Sequence, residues 1–238
     1  MAKKPRYFII VSHCLLNPST RVHLLGRRYI IAEKICDFFL SKHISIIQLP
    51  CPEFTAMGYW RNPQGRQQYN NVFFRKHCRA ELENYVNMIV ELKNNDNTPL
   101  CFIGIQGSPT CSIYWGKHKT NKYKTESMME DPKANPSETV YGVMTEVLDE
   151  MLREQHIEMP YLEAPVKECI RSERSIGFFN QLYDLLDVPK EYRHIDELLN
   201  LNEEDTLVNE HDNESSEVLS ECNDKQEAYT DTKGLEIE

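Results

Sequence analysis

The chain has 238 residues and a formal charge of −10. Residues 201–238 hold 13 Asp and Glu against Lys225 and Lys233, a net of −11, which leaves residues 1–200 near +1. A body so close to neutral lacks the basic surplus of a strong nucleic-acid binder, and the overall acidity says nothing about what the body acts on.

The acidic tail has few large apolar residues and Tyr229 as its only aromatic. It cannot bury enough surface to offset its ordering entropy, so disorder is expected from residue 201 onward, after one domain of about 200 residues. Residues 1–6 are basic, but the apolar run that follows is too short for a secretory signal. No run approaches the length of a transmembrane helix. A cytoplasmic location follows as the expectation. There, eight cysteines argue for thiols, metal ligands or catalysis before disulfides.

In chain order, the pattern is strand, loop, helix, repeated. Residues 7–12 are continuously apolar and β-branched, as a buried parallel strand should be. Residues 29–41 place Ala32, Ile35, Cys36, Phe39 and Leu40 on one helical face. A second strand spans 44–49, stopped by Pro50 and Pro52. A long loop leads to a helix over 74–93, with Leu82, Tyr85, Ile89 and Leu92 at helical spacing. Residues 100–105 form the third strand. After a second long loop, Ser137 is read as the N-cap of a helix carrying Val140, Met144, Val147, Leu148 and Met151. Residues 159–162 read as an edge strand, because of Pro160, and 173–187 as a closing helix. This alternation predicts an α/β fold: a Rossmann-like parallel sheet with helices on both faces.

In such sheets, ligands collect beyond the carboxyl ends of the strands. Three cysteines lie there: Cys14 after the first strand, Cys51 after the second and Cys111 after the third. Cys36, Cys78, Cys101 and Cys222 read as small buried or incidental thiols, and Cys169 is ambiguous. Three converging thiolates allow two readings. A structural zinc site would need a fourth ligand from His13, Glu53 or Cys169. A [4Fe–4S] cluster would be held by three thiolates with one iron open, a Lewis-acid position suited to a soft atom such as sulfur. Glu53 reads as a proton shuttle or as a loop or capping carboxylate, and Ser108 as a proton relay or a cap of the turn. Arg21, Arg27, Arg28, Arg61 and Arg66, with Tyr59 and Trp60, can hold an anionic or aromatic ligand or form a solvated rim. His13 is read as a hydrogen-bond donor behind the site.

Three segments, Cys14-Leu15-Leu16-Asn17 with Arg21 after it, Cys51-Pro52-Glu53 and Ser108-Pro109-Thr110-Cys111, resemble the thiouracil desulfurase family in order and spacing. The resemblance implies a [4Fe–4S] cluster on Cys14, Cys51 and Cys111, delivered by iron–sulfur assembly machinery. It implies removal of sulfur from a thiolated pyrimidine base, nucleoside or nucleotide, the sulfur caught by the open iron. Glu53 and Ser108 fall on the family's proton-handling positions, and Asn17, Arg21, Trp60 and Arg61 are assigned to substrate binding. The sequence departs from the commoner pattern at Asn17 and Ser112, where glycine is frequent. The insertion between Trp115 and Ser137 and the acidic tail have no counterpart. The competing readings are a non-catalytic iron–sulfur or zinc sensor, which needs neither Glu53 nor Ser108, and a hydrolase using Cys14 and His13, which leaves Cys51 and Cys111 unexplained.

Overall fold

A computed structural model of the chain describes residues 6–22, 30–114, 141–166 and 170–199. The chain divides into two compact units, Met1–Val166 and Lys167–Glu238.

In the first unit, β1 (Arg6–Val11), β2 (Ser45–Gln48), β3 (Asn97–Ile105) and β4 (Tyr161–Ala164) form one sheet in the order β2-β1-β3-β4. All three pairings are parallel. The central strands bury nearly everything: Phe8, Ile9, Ile10, Val11, Phe102 and Ile103 are at most 2% exposed. Burial on both faces is what a continuous apolar run requires, and it means helices must cover each side.

Handedness decides which helix goes where. The chain moves from β1 to β2 in one direction and from β2 back across β1 to β3 in the other. Right-handed crossovers therefore put the two sets of connecting helices on opposite faces. On one face, α5 (Val72–Asn94) and α6 (Val143–Glu154) share a core with Phe8, Ile10 and Phe102, into which they send Cys78, Leu82, Ile89, Met144 and Leu148. On the other, α2 (Ile30–Leu40) buries Ile31, Ile35, Phe38 and Phe39. The reversal of direction makes the crevice between the carboxyl ends of β1 and β3 a topological switch point.

Three details differ from the sequence expectation. β3 starts at Asn97, before residue 100, and includes Pro99 opposite Phe8. Proline has no N–H to give, and the ladder slips there, between Phe8 and Ile10. The helix expected from a Ser137 cap begins instead at Val143, with Gly142 in the N-cap position. Ser137 lies outside the described residues, as do the insertion, Arg27, Arg28, Cys169 and the tail. Short helices α1 (His13–Leu16), α3 (Pro52–Met57) and α4 (Arg66–Tyr69) occupy segments read as loop, because one turn or so is too short to show periodicity.

The second unit has α7 (Glu173–Leu185), capped by Ser172, whose hydroxyl accepts from Ser175 N–H at 3.2 Å, and burying Phe178, Phe179 and Leu182. A 3-10 turn (Lys190–Tyr192) and α8 (Ile195–Leu198) follow. No described helix is long and apolar enough to cross a membrane.

Candidate active site

β1 ends at Val11, and Cys14 is the second residue of α1. β2 ends at Gln48, and Cys51 is the N-cap residue of α3. β3 ends at Ile105, and Cys111 closes the loop beyond it. Because the three strands are adjacent and parallel, their carboxyl ends bring these cysteines into one another's electrostatic field. Burial raises the Cys14 thiol well above the usual range, and Cys111 and then Cys51 raise it further, while Arg21 pulls it down. Burial takes Cys111 up to about 12, aided by Cys51 and opposed by Thr110 and Ser12. Burial takes Cys51 to about 11, aided by Glu53; the Phe54 amide, Arg61 and the Glu53 amide oppose it. All three are therefore neutral thiols at pH 7 until something positive takes their protons.

A fourth cysteine stands near them. Cys78 of α5 is fully buried, and its thiol is raised by burial first and by Cys111 second. Among the described residues, no three His, Cys, Asp or Glu side chains converge closely enough to hold a single metal ion.

The Cys111 loop is held on every side. Ile105 N–H donates to Cys111 O at 3.1 Å, and Cys111 N–H donates to Ser108 Oγ at 3.0 Å. Ser108 therefore caps the turn, and its hydroxyl also lies 3.3 Å from Thr110 Oγ1. The first-turn amides of α6 meet the loop's carbonyls: Val143 N–H donates to Pro109 O, and Met144 and Thr145 N–H donate to Thr110 O, at 2.9–3.1 Å. Orphan amides at a helix start are normally met by a side-chain cap. Here the loop does that work, which explains why no Ser or Asp marks the helix start. Gly104 and Gly142 make the packing possible. A Cβ at Gly142 would stand 2.4 Å from Thr110 C, and one at Gly104 would stand 2.3 Å from Cys111 O.

Glu53, in the first turn of α3, is 7% exposed. Its Oε1 accepts from Thr110 Oγ1 at 2.5 Å. Its Oε2 accepts from Tyr69 O–H at 3.1 Å and Arg61 Nε at 3.3 Å. Thr110 Oγ1 also lies 3.4 Å from Cys111 Sγ. One chain of contacts thus runs from the Cys111 thiol through Thr110 to Glu53, and through Thr110 again to Ser108. Glu53 and the hydroxyl of Tyr69 adjoin, and burial raises the phenol with Glu53 adding to it. Tyr69 and Thr110 were not singled out from the sequence. Thr110 occupies the variable position of a quoted motif, and Tyr69 sits in a one-turn helix whose place against Glu53 only the fold sets.

The other predicted residues separate. Asn17, with His13, Cys51, Phe54 and Tyr59, lines a cleft of about 610 Å3. His13 Nδ1 is 2.9 Å from Leu49 O. A carbonyl only accepts, so Nδ1 carries a proton and donates it to Leu49 O. Arg21 is near Cys14. Arg61 is 6% exposed and fully occupied: beyond Glu53, it donates to Thr20 O at 2.7 Å and Gly58 O at 3.1 Å. Trp60 is 78% exposed, edge-on to Tyr59 at the rim. Arg66 is buried away from the thiols, donating to Tyr141 O and paired with Glu146.

The sequence profile of the family described as "Putative 2-thiouracil desulfurase" matches residues 7–160, which span β1 to the threshold of β4 and hold all three cysteines, Glu53 and Ser108. The chain belongs to this family. An uncharacterized protein of the archaeon Methanocaldococcus jannaschii is 33% identical over 111 residues, covering 47% of this chain and 70% of the relative. No solved structure matches the chain.

Proposed function

We propose that this desulfurase-family chain is a [4Fe–4S]-dependent desulfidase, which replaces the sulfur of a thiolated pyrimidine with oxygen from water. The observation that carries the reading is the juxtaposition of three thiols, Cys51 and Cys111 buried and Cys14 half-buried, with a buried carboxylate linked to one of them through Thr110.

The residues fit the group. Three soft donors whose thiolates would repel one another favour a cationic, thiophilic occupant that takes up their negative charge. The buried Ser12 hydroxyl meets no nitrogen or oxygen partner and faces the Cys111 thiol, so a sulfur-rich group would give it a stronger acceptor. When bound, the cluster supplies an open iron as a Lewis acid for a thiocarbonyl sulfur.

The chain's own residues do the rest. The cleft beside Cys51 is large enough for a nucleoside, and Asn17 offers it an amide donor and acceptor. Glu53 accepts a proton from the attacking water, its carboxylate steadied by Arg61 and Tyr69. Thr110 and Ser108 form a short hydroxyl path along which that proton reaches the ring or the departing sulfide. The overall exchange is C=S plus water to C=O plus hydrogen sulfide, with no net oxidation.

The test is anaerobic reconstitution with iron and sulfide, followed by assay of sulfide release from 2-thiouracil and from thiouridines. Wild type and Cys36→Ala should become coloured, whereas Cys14→Ala, Cys51→Ala and Cys111→Ala should not. Glu53→Gln should keep the colour and lose at least 100-fold in turnover, in line with general acid–base contributions of about 10²–10⁴. A coloured wild type inert toward every thiopyrimidine would point to a sensor, and a colourless zinc-retaining protein would overturn the reading.

A further inference from the structure

Three described side chains bury a hydroxyl oxygen that has no nitrogen or oxygen hydrogen-bond partner: Ser12, Ser112 and Thr145. All three adjoin the Cys111 loop. Ser112 follows the cysteine, the Thr145 amide holds Thr110 O at 3.1 Å, and the Ser12 hydroxyl faces the Cys111 thiol, which it lowers by hydrogen bonding. Buried hydroxyls without partners are rare because alanine would fill the same space without the desolvation cost. Their gathering around one loop calls for an explanation in terms of what that loop faces.

Ser12 is the one whose hydroxyl acts on the Cys111 thiol. It is the residue at which β1 gives way to α1, seated at the switch point. Its N–H donates to Ile103 O across the β1–β3 crevice at 3.1 Å, and its carbonyl accepts from Leu15 N–H at 3.2 Å. Both backbone groups are satisfied and the residue is 0% exposed, so neither solvent nor main chain offers its hydroxyl an acceptor. It does not cap α1 either. Its surroundings are sulfur: Cys111 beside it and Cys14 two residues on. A hydroxyl fixed there is a donor waiting for a soft, negatively charged acceptor.

We propose that Ser12 is a cofactor-binding residue, donating its hydroxyl hydrogen bond to a thiolate or sulfide sulfur of the cluster held by Cys14, Cys51 and Cys111. The proposal rests on the cluster reading above and adds to it a residue that reading does not use. Its consequence is electronic. A hydrogen bond to sulfur draws electron density from the cluster, stabilises the more negative reduced state and raises the reduction potential. Ser12 thereby sets how readily the group gives up an electron to oxygen, a property separate from the desulfidation chemistry.

The experiment compares full-length wild type, Ser12→Ala and Ser12→Thr in two measurements. In the metal-free proteins, thermal unfolding should show Ser12→Ala as stable as wild type or more so, because the neutral Cys111 thiol is only a weak acceptor for its hydroxyl; a clear loss of stability would give the hydroxyl a structural role and overturn the proposal. In the anaerobically reconstituted proteins, a redox titration followed by electron paramagnetic resonance should show Ser12→Ala displaced to a more negative midpoint, with Ser12→Thr close to wild type. A midpoint unchanged in Ser12→Ala, or displaced equally in Ser12→Thr, would overturn it. Failure of wild type itself to load iron would strike the cluster reading instead, and this proposal with it.

Discussion

Two sets of arginine–glutamate contacts in this chain use the same chemistry under different solvation. At the active site, the Arg61 and Glu53 side chains are 3% and 9% exposed. Along the outer side of α5 and α6, Arg75 pairs with Glu146 and Glu150, and Arg79 with Glu154, the last pair 45% and 54% exposed. The outer ladder lies in water, where an ion pair is screened and weakly stabilising. The inner pair carries a large desolvation cost, which an apolar pair of similar size would avoid. A fold selected for stability alone has no need of it. On the proposed reading Glu53 is there for its proton chemistry, with Arg61 as the residue that makes its burial tolerable. That is also why Arg61, read from the sequence as a substrate contact, has its guanidinium committed to Glu53, Thr20 and Gly58.

The contrast can be broken at its strongest point first. Arg61→Ala leaves a buried carboxylate short of its cation and should cost about 3–5 kcal/mol in denaturant unfolding. Replacing both partners, Glu53→Leu with Arg61→Leu, should return most of that stability while abolishing sulfide release. If the double variant were no more stable than Arg61→Ala, the inner pair would be a structural element after all.

A smaller effect tests how the Cys111 loop is held. Gly142→Ala forces a Cβ against Thr110 and Cys111 backbone. It should cost about 1–3 kcal/mol as an overpacked core site and impair iron loading. Gly177→Ala, in α7 with nothing within 4 Å of the new Cβ, should be neutral or stabilise by up to about 1 kcal/mol. Equal behaviour of the two would mean that the loop yields without consequence.

The smallest effect belongs to the outer ladder. Arg79→Ala or Glu154→Ala should change stability by less than about 1 kcal/mol, and added salt should shrink the difference further. Iron loading and turnover should not change. A loss of activity here would link α5 and α6 to the site more tightly than the geometry suggests.

Much of this was legible in the chain itself. Continuous apolar runs at 7–12 and 100–105, separated by helical periodicity, are enough to specify buried parallel strands, and parallel strands send their carboxyl ends to one side. Cys14, Cys51 and Cys111 could therefore be placed at one edge from their positions after three strands. Other features escaped because they are not local. Tyr69 and Arg61 reach Glu53 across intervals of 16 and 8 residues, and Thr110 reaches it across 57. Nothing in the immediate sequence of any of them marks the contact. Gly142 fell inside the helix expected from a Ser137 cap, and Cys78 read as a small buried or incidental thiol. Their nearness to Cys111 exists only once α5 and α6 lie on the same face of the sheet.

The sequence by itself determined the class of fold and which three cysteines follow the strand ends, because those follow from short-range pattern and the fixed geometry of parallel strands. Tertiary structure alone decided what surrounds the thiols. It set which hydroxyls face them, which groups hold the carboxylate, and which arginine is buried and which is solvated. Those depend on how far side chains stand from water and from one another, a property of the packed interior that no run of neighbouring residues encodes.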